Sequence, residues 1–203
     1  MSYDKALVAG KLRRWEKYLE QYRLPAWEEI PDFGLYMEQV ISLLKQYLDY
    51  LPPELKEEQF ITASTINNYV RTRIMPEPVK KRYYRIHIAY LLFICTLKQG
   101  LSIALVQKLL PMGLPEDEVR VRYGLYAQRH QLAASYFVEQ VRHLAGPILD
   151  HEDEDCYSTG TTEELIEASA VVGSFSRLLA EKLLLLEGKT LENGGNIEIR
   201  TKK

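Results

Sequence analysis

Asn68 and Arg71 are the side chains best suited to a specific chemical task in this chain. An amide offers a donor beside an acceptor, and a guanidinium offers paired donors; these patterns match the adenine and guanine edges exposed in a DNA major groove. At about 100° per residue, Ser64, Asn68 and Arg71 share one face of a helix, with Asn67 and Thr72 on its flanks. Arg73 follows. After the break Met75-Pro76-Glu77-Pro78 comes a basic and aromatic run, Lys80-Lys81-Arg82-Tyr83-Tyr84-Arg85. In an extended turn, these cations would meet phosphates and a tyrosine would donate its hydroxyl to one.

Charge is concentrated in the same place. From Thr62 to His87, Arg71, Arg73, Lys80, Lys81, Arg82 and Arg85 stand against Glu77 alone, a local excess of five on a chain of net charge −2. A basic patch on a mildly acidic body suits a DNA-binding module better than a protein that coats nucleic acid nonspecifically. A solvated basic loop would carry the same charge, so the pattern of elements has to decide.

Those elements follow from periodicity. Thr62-Ala-Ser64-Thr65 supplies oxygens to cap a helix, and Ile66, Tyr69, Val70 and Ile74 give that helix one apolar face. The prolines then stop it, since proline lacks a backbone donor and biases its predecessor toward extended geometry. The stretch Ile86–Gln99 is apolar nearly all round and must be buried. Gly100 ends that helix and Ser102 caps the next, whose Val106, Leu109 and Leu110 return to the core. The expected centre is Ile66, Val70, Ile88, Leu91, Leu92, Ile94, Val106 and Leu109.

This string resembles a MerR-type winged helix: a recognition helix, a proline-marked turn, a basic wing with a tyrosine, a buried helix, a glycine, and a helix opening with Ser-hydrophobic. The matching residues are Thr65-Ile66-Asn67-Asn68-Tyr69, Arg71, Ile74-Met75-Pro76, Lys81-Arg82-Tyr83-Tyr84, Ile88, Leu91, Ile94, and Gly100-Leu101-Ser102-Ile103 with Val106 and Leu109-Leu110. Three positions depart from it. Arg73 stands where that family has glycine, Asn67 where it has arginine, and Val70 where it has glutamate. The wing is short, and either Tyr83 or Tyr84 fills its tyrosine position. With Leu24-Pro25-x-Trp27 and Ile30-Pro31-Asp32-x-Gly34-Leu35-Tyr36-Met37 ahead of it, residues 24 to 112 are similar to a bacterial family catalogued as domain of unknown function 1836, which carries no established chemistry. The resemblance implies a DNA-contacting set of Ser64, Thr65, Asn67, Asn68, Arg71, Arg73, Lys80, Lys81, Arg82, Tyr83, Tyr84 and Arg85.

At 203 residues, 46% hydrophobic and 27% charged, the chain has the make-up of a folded globular protein of one or two small domains. Sparse glycine and proline predict an all-α fold with at most a tiny β wing near Val79–Tyr84. Lys5–Tyr22 repeats Val8, Leu12, Trp15, Leu19 and Tyr22 as an amphipathic helix. Pro25 and Pro31 mark a linker with Trp27 as packing anchor. Asp32 is expected to cap a helix from Gly34 to Tyr50, and Leu51–Ile61 connects it to the recognition helix. Pro111-Met-Gly113-Leu-Pro115 reads as a hinge. Beyond it, Glu116–Leu144 carries two apolar stripes. One is Val119, Tyr123, Tyr126, Ala133, Phe137, Val141 and Leu144; the other is Val121, Leu125, Leu132 and Tyr136. Two stripes imply two covered faces, one within the chain and one against a partner subunit. A last helix is expected from Thr162 to Leu186. The expected divisions are thus 1–33 (helix and linker), 34–112 (winged helix), 113–188 (helical dimerisation region) and 189–203 (mobile tail).

Other chemistry finds little support. The catalytic signatures of hydrolases, zinc proteases, phosphate loops and dinucleotide sites are all missing, so no enzyme is expected. His130 and His143 lie too far apart on one helix to share a metal. Asp150–Asp155 is acidic but lacks the alternation and turn glycine of a calcium loop, and reads as solvated. Cys95 reads as a buried small hydrophobe and Cys156 has no C-x-x-C partner, so neither zinc nor a disulfide is expected, and no cofactor. The N-terminus lacks a signal-peptide core. The nearly apolar run Ile88–Leu97 is about half of the roughly 20 residues a membrane span requires. A cytoplasmic protein off the membrane follows.

Two functions stand open. One is a DNA-binding transcriptional regulator, a homodimer on double-stranded DNA, with any small-molecule effector unknown. The other is a protein-interaction module on a winged-helix scaffold that has lost DNA binding, which Arg73 and Asn67 favour.

Overall fold

The computed structural model describes residues 5–49, 61–149, 159–162, 164–166, 169, 172–173 and 176–177. The Leu51–Ile61 connection up to Phe60, the Asp150–Asp155 acidic run, Cys156, most of the expected last helix and the 189–203 tail lie outside the described residues. What is described is helical, with isolated β-bridges and no named strand.

The helices are α1 (Lys5–Gln21), α2 (Met37–Tyr47), α3 (Ala63–Arg71), α4 (Arg85–Leu97), α5 (Ile103–Leu109), α6 (Glu116–Leu144) and the short α7 (Gly146–Leu149), with a 3-10 turn at Trp27–Glu29. The centre is α4, where every residue from His87 to Thr96 is buried. A helix apolar all round must be covered all round. Leu44 of α2, Ile66 of α3 and Val106 of α5 join the same core as α4, and so do Val119 and Tyr123 of α6. Trp27 and Ile30 from the linker complete it. The core thus draws on residues either side of Gly34 and of the Pro111–Pro115 break. Tyr123, fully buried, donates its hydroxyl to the Pro25 carbonyl at 2.8 Å, which gives a buried polar atom its partner.

A second, smaller core joins the two ends of the described chain. Ala9 of α1 packs with Leu144, Ala145, Ile148, Leu149 and Leu165. Arg142 reaches back from α6 to Glu16 and, at 2.8 Å, to Glu20 on α1. Trp15 of the expected α1 seam is exposed but meets Phe137 edge-on at 5.4 Å between ring centroids.

Several local expectations are corrected. The helix expected from Gly34 begins at Met37, and Asp32 does not cap it; the Gln39 side chain accepts from the Tyr36 N–H at 2.9 Å instead. The reason lies 48 residues away. Leu35 and Tyr83 exchange backbone hydrogen bonds at 2.8 and 2.9 Å, which holds 34–36 extended. Asp32 lies 3.7 Å from Arg85. Ser102 occupies the cap position of α5, but its hydroxyl makes no capping bond. Val70 and Leu109, expected at the centre, are only half-buried.

Candidate nucleic-acid interface

The α3 start is built as its sequence suggests. Thr62 Oγ1 accepts the Thr65 N–H at 3.1 Å and shares a 2.9 Å bond with the Thr65 hydroxyl. That satisfies one of the free N–H groups of a helix start. It also engages Thr65, so of the candidate contacts this hydroxyl serves the cap.

The helix end is a Schellman motif. The Arg73 N–H bonds the Val70 carbonyl and the Ile74 N–H bonds the Tyr69 carbonyl, both at 3.0 Å. Such an end requires a left-handed residue, and Arg73 takes it at φ 56°. Glycine would take this φ free of the steric cost that the Arg73 Cβ incurs. Tyr69 and Ile74, which close the motif, are both buried. Gln107 of α5 donates to the Thr72 carbonyl at 3.2 Å, and Lys98, the cap residue after α4, to the Tyr69 hydroxyl at 3.3 Å, so the helix is held at its end and from behind.

With Ile66, Tyr69 and Ile74 turned into the core, Ser64, Asn67, Asn68 and Arg71 are exposed together. They line one open depression with Thr62 and Thr65. The Arg71 guanidinium donates to Asn68 Oδ1 at 2.7 Å, and Thr72 Oγ1 donates to the Asn68 carbonyl at 2.7 Å.

The basic run divides. Val79 and Arg82 exchange both backbone bonds at 3.0 Å across a two-residue turn. Lys80 and Lys81 take φ of 49° and 63°, the left-handed pair of a type I′ hairpin. Both lysines are exposed at its tip. Arg82 instead lies against Tyr36, its guanidinium 4.3 Å from the ring centroid. Tyr83 is buried at 3% exposure, whereas Tyr84 is half-buried. Arg85 turns back to the linker, where its Nε donates to the Ile30 carbonyl at 2.9 Å. Arg73 is exposed. The exposed cationic and polar set is therefore Ser64, Asn67, Asn68, Arg71, Arg73, Lys80 and Lys81, with Arg82, Tyr83 and Arg85 serving the scaffold in this structure.

Sequence reasoning passed over His87. Its Nδ1 accepts the Tyr84 N–H at 2.9 Å, which leaves Nε2–H to donate to the Glu77 carbonyl at 2.9 Å. A buried imidazole thus caps α4 and holds the proline turn before the hairpin. Its position three residues into the helix, where a side chain can reach back to the cap N–H, was the available signal.

Among the described residues no three His, Cys, Asp or Glu side chains gather where they could hold a metal ion. Burial pushes the Cys95 thiol up to about 12, which makes it a packing group and a poor nucleophile. No helix among the described residues is long and apolar enough to cross a membrane.

The class defined so far is an all-helical protein that presents one polar helix face and a two-lysine hairpin. The family described as Domain of unknown function (DUF1836) matches residues 25–128, just over half of the chain, and the protein belongs to that family. The matched span runs from the linker into α6 and takes in the helices of the main core. No curated protein and no solved structure matches the chain.

Proposed function

We propose that this protein is a DNA-binding transcriptional regulator that reads duplex DNA with a MerR-like winged helix, as a homodimer. One observation carries the reading. The short helix α3 is closed at both ends, buries one side, and exposes Ser64, Asn67, Asn68 and Arg71 on the other. An exposed helix face with amide and guanidinium groups fits a major groove. The lysine-tipped hairpin supplies phosphate contacts. A single winged helix makes few contacts, so two copies on a two-part site are expected.

Selection from a random duplex pool tests this. A two-part motif should emerge, and the protein should elute from heparin only at high salt. A pool with no enrichment would remove the reading.

A second reading has its own observation. Val121, Leu125, Leu132 and Tyr136 are 65%, 51%, 63% and 67% exposed along one side of α6. In the first reading a second copy covers this stripe; in the second, another protein does, and DNA binding has been lost. Early flow-through on heparin favours the second.

A further inference from the structure

The segment Gly34–Tyr36, which follows a bend at Phe33, is fastened to the hairpin as a third extended piece. Besides the Leu35–Tyr83 bridge, Arg82 donates to the Gly34 carbonyl at 3.2 Å and to the Tyr36 hydroxyl at 2.7 Å while lying on the Tyr36 ring. Glycine at 34 permits this approach. A Cβ there would come within 2.8 Å of Arg82 Cδ and 3.1 Å of Tyr84 Cζ. Strand-like alternation then sends Leu35 inward and Tyr36 outward.

The consequence is an apolar surface where none is needed for folding. Phe33 is 65% exposed, Tyr36 50% and Val79 55%. Val79 adjoins the exposed Lys80 and pairs with Arg82, which carries Tyr36, so Val79 and Tyr36 border the cationic tip, with Phe33 three residues before Tyr36. The acidic groups at hand are Asp32, beside Arg85, Glu38 in the first turn of α2 and Glu77 two residues before Val79. Lys80, Lys81, Arg82 and Arg85 outnumber them by one. Apolar rings bordered by cations complement a polyanion that also has apolar faces, which describes the sugars and bases of DNA between its phosphates.

We propose that Phe33 and Tyr36 are DNA contacts of the wing, packing on deoxyribose or base faces beside the phosphates met by Lys80 and Lys81; this rests on the DNA-binding reading above. Arg82 holds the Tyr36 ring in place before any partner arrives, so this contact costs little ordering.

The test is anisotropy titration of a duplex selected by the wild-type protein, at several salt concentrations. Phe33→Ala and Tyr36→Ala should each weaken binding by about five- to tenfold with an unchanged salt slope, because an aromatic ring displaces no counterions. Lys81→Ala should instead lower the slope by about one. Thermal unfolding of Phe33→Ala should match the wild type, which separates a lost contact from a lost fold. If Phe33→Ala and Tyr36→Ala bind within twofold of wild type while Arg71→Ala is weakened, the aromatic contact is overturned and the DNA-binding reading stands. If the wild type binds no duplex, that reading fails and takes this one with it. If Phe33→Ala leaves DNA affinity intact and changes sedimentation, the patch belongs to a second copy and the proposal is overturned.

Discussion

The Arg71 guanidinium holds the Asn68 side chain by its carbonyl oxygen, at 2.7 Å, on the exposed face of α3. The two residues best fitted to read bases are therefore one unit. Removing Arg71 both deletes a donor pair and frees the amide it orients. Their effects should couple, as groups within one hydrogen-bond network do.

Arg71→Ala should weaken binding to the selected site by about 1–3 kcal/mol and blunt discrimination between sequences. Lys81→Ala, at the hairpin tip, should weaken binding to all duplexes alike. Titrations on a specific and a scrambled duplex separate the two. Equal loss on both duplexes for Arg71→Ala would mean that α3 does not face the bases.

Leu91 is fully buried at the middle of α4. Leu91→Ala should cost about 2–5 kcal/mol in urea unfolding, from lost transfer energy plus the cavity left behind. A loss below about 1 kcal/mol would show that α4 is not the centre of the core.

Arg73 sits at φ 56°, where glycine is free of the steric cost that a Cβ incurs. Arg73→Gly should raise stability, or at worst leave it unchanged, by roughly 0–1 kcal/mol, and Arg73→Val should lower it. Both are read from thermal melts. A stability loss for the glycine variant would mean that the arginine side chain contributes more than its backbone costs.

His130 is half-buried between the Tyr22 and Tyr126 rings, at 6.0 and 6.3 Å between centroids. Burial holds its pKa below the ordinary 6.5. The unfolded chain therefore takes up this proton first, and stability rises with pH across that interval. The contribution is fully present above about 6.5 and is lost as pH falls through the lower folded value. His130→Phe should flatten the fall in melting temperature between about pH 7 and pH 5. Identical slopes in variant and wild type would assign that fall to other groups.

The exposed stripe on α6 should govern assembly. Leu132→Glu, at a site 63% exposed, should leave the fold intact and convert a dimer to a monomer in sedimentation. A wild-type chain that is monomeric at micromolar concentration would remove the homodimer.

Much of this was legible in the sequence because helical periodicity is local. The polar and apolar faces of α3 and the burial of α4 on every side can each be read within a window of a few turns. The first stripe of α6 holds only in part: Val119, Tyr123 and Leu144 are buried, but Ala133 and Phe137 are exposed and Val138 is buried in their place. The threonine cap at Thr62 is equally local, but the prolines do not stop α3: it ends at Arg71, closed by left-handed Arg73. What only the tertiary structure decided depends on residues distant in the chain. Nothing near Gly34 says that Leu35 will pair with Tyr83, yet that pairing delays α2 to Met37 and brings Tyr36 under Arg82. Nothing in the run Lys80–Arg85 says which members face solvent, because its backbone does not follow one period. Two left-handed lysines turn the chain and bury Tyr83. Arg85 meanwhile swings to a carbonyl 55 residues earlier. Residue type sets which contacts a side chain can make, and the packing of distant segments sets which of them it makes.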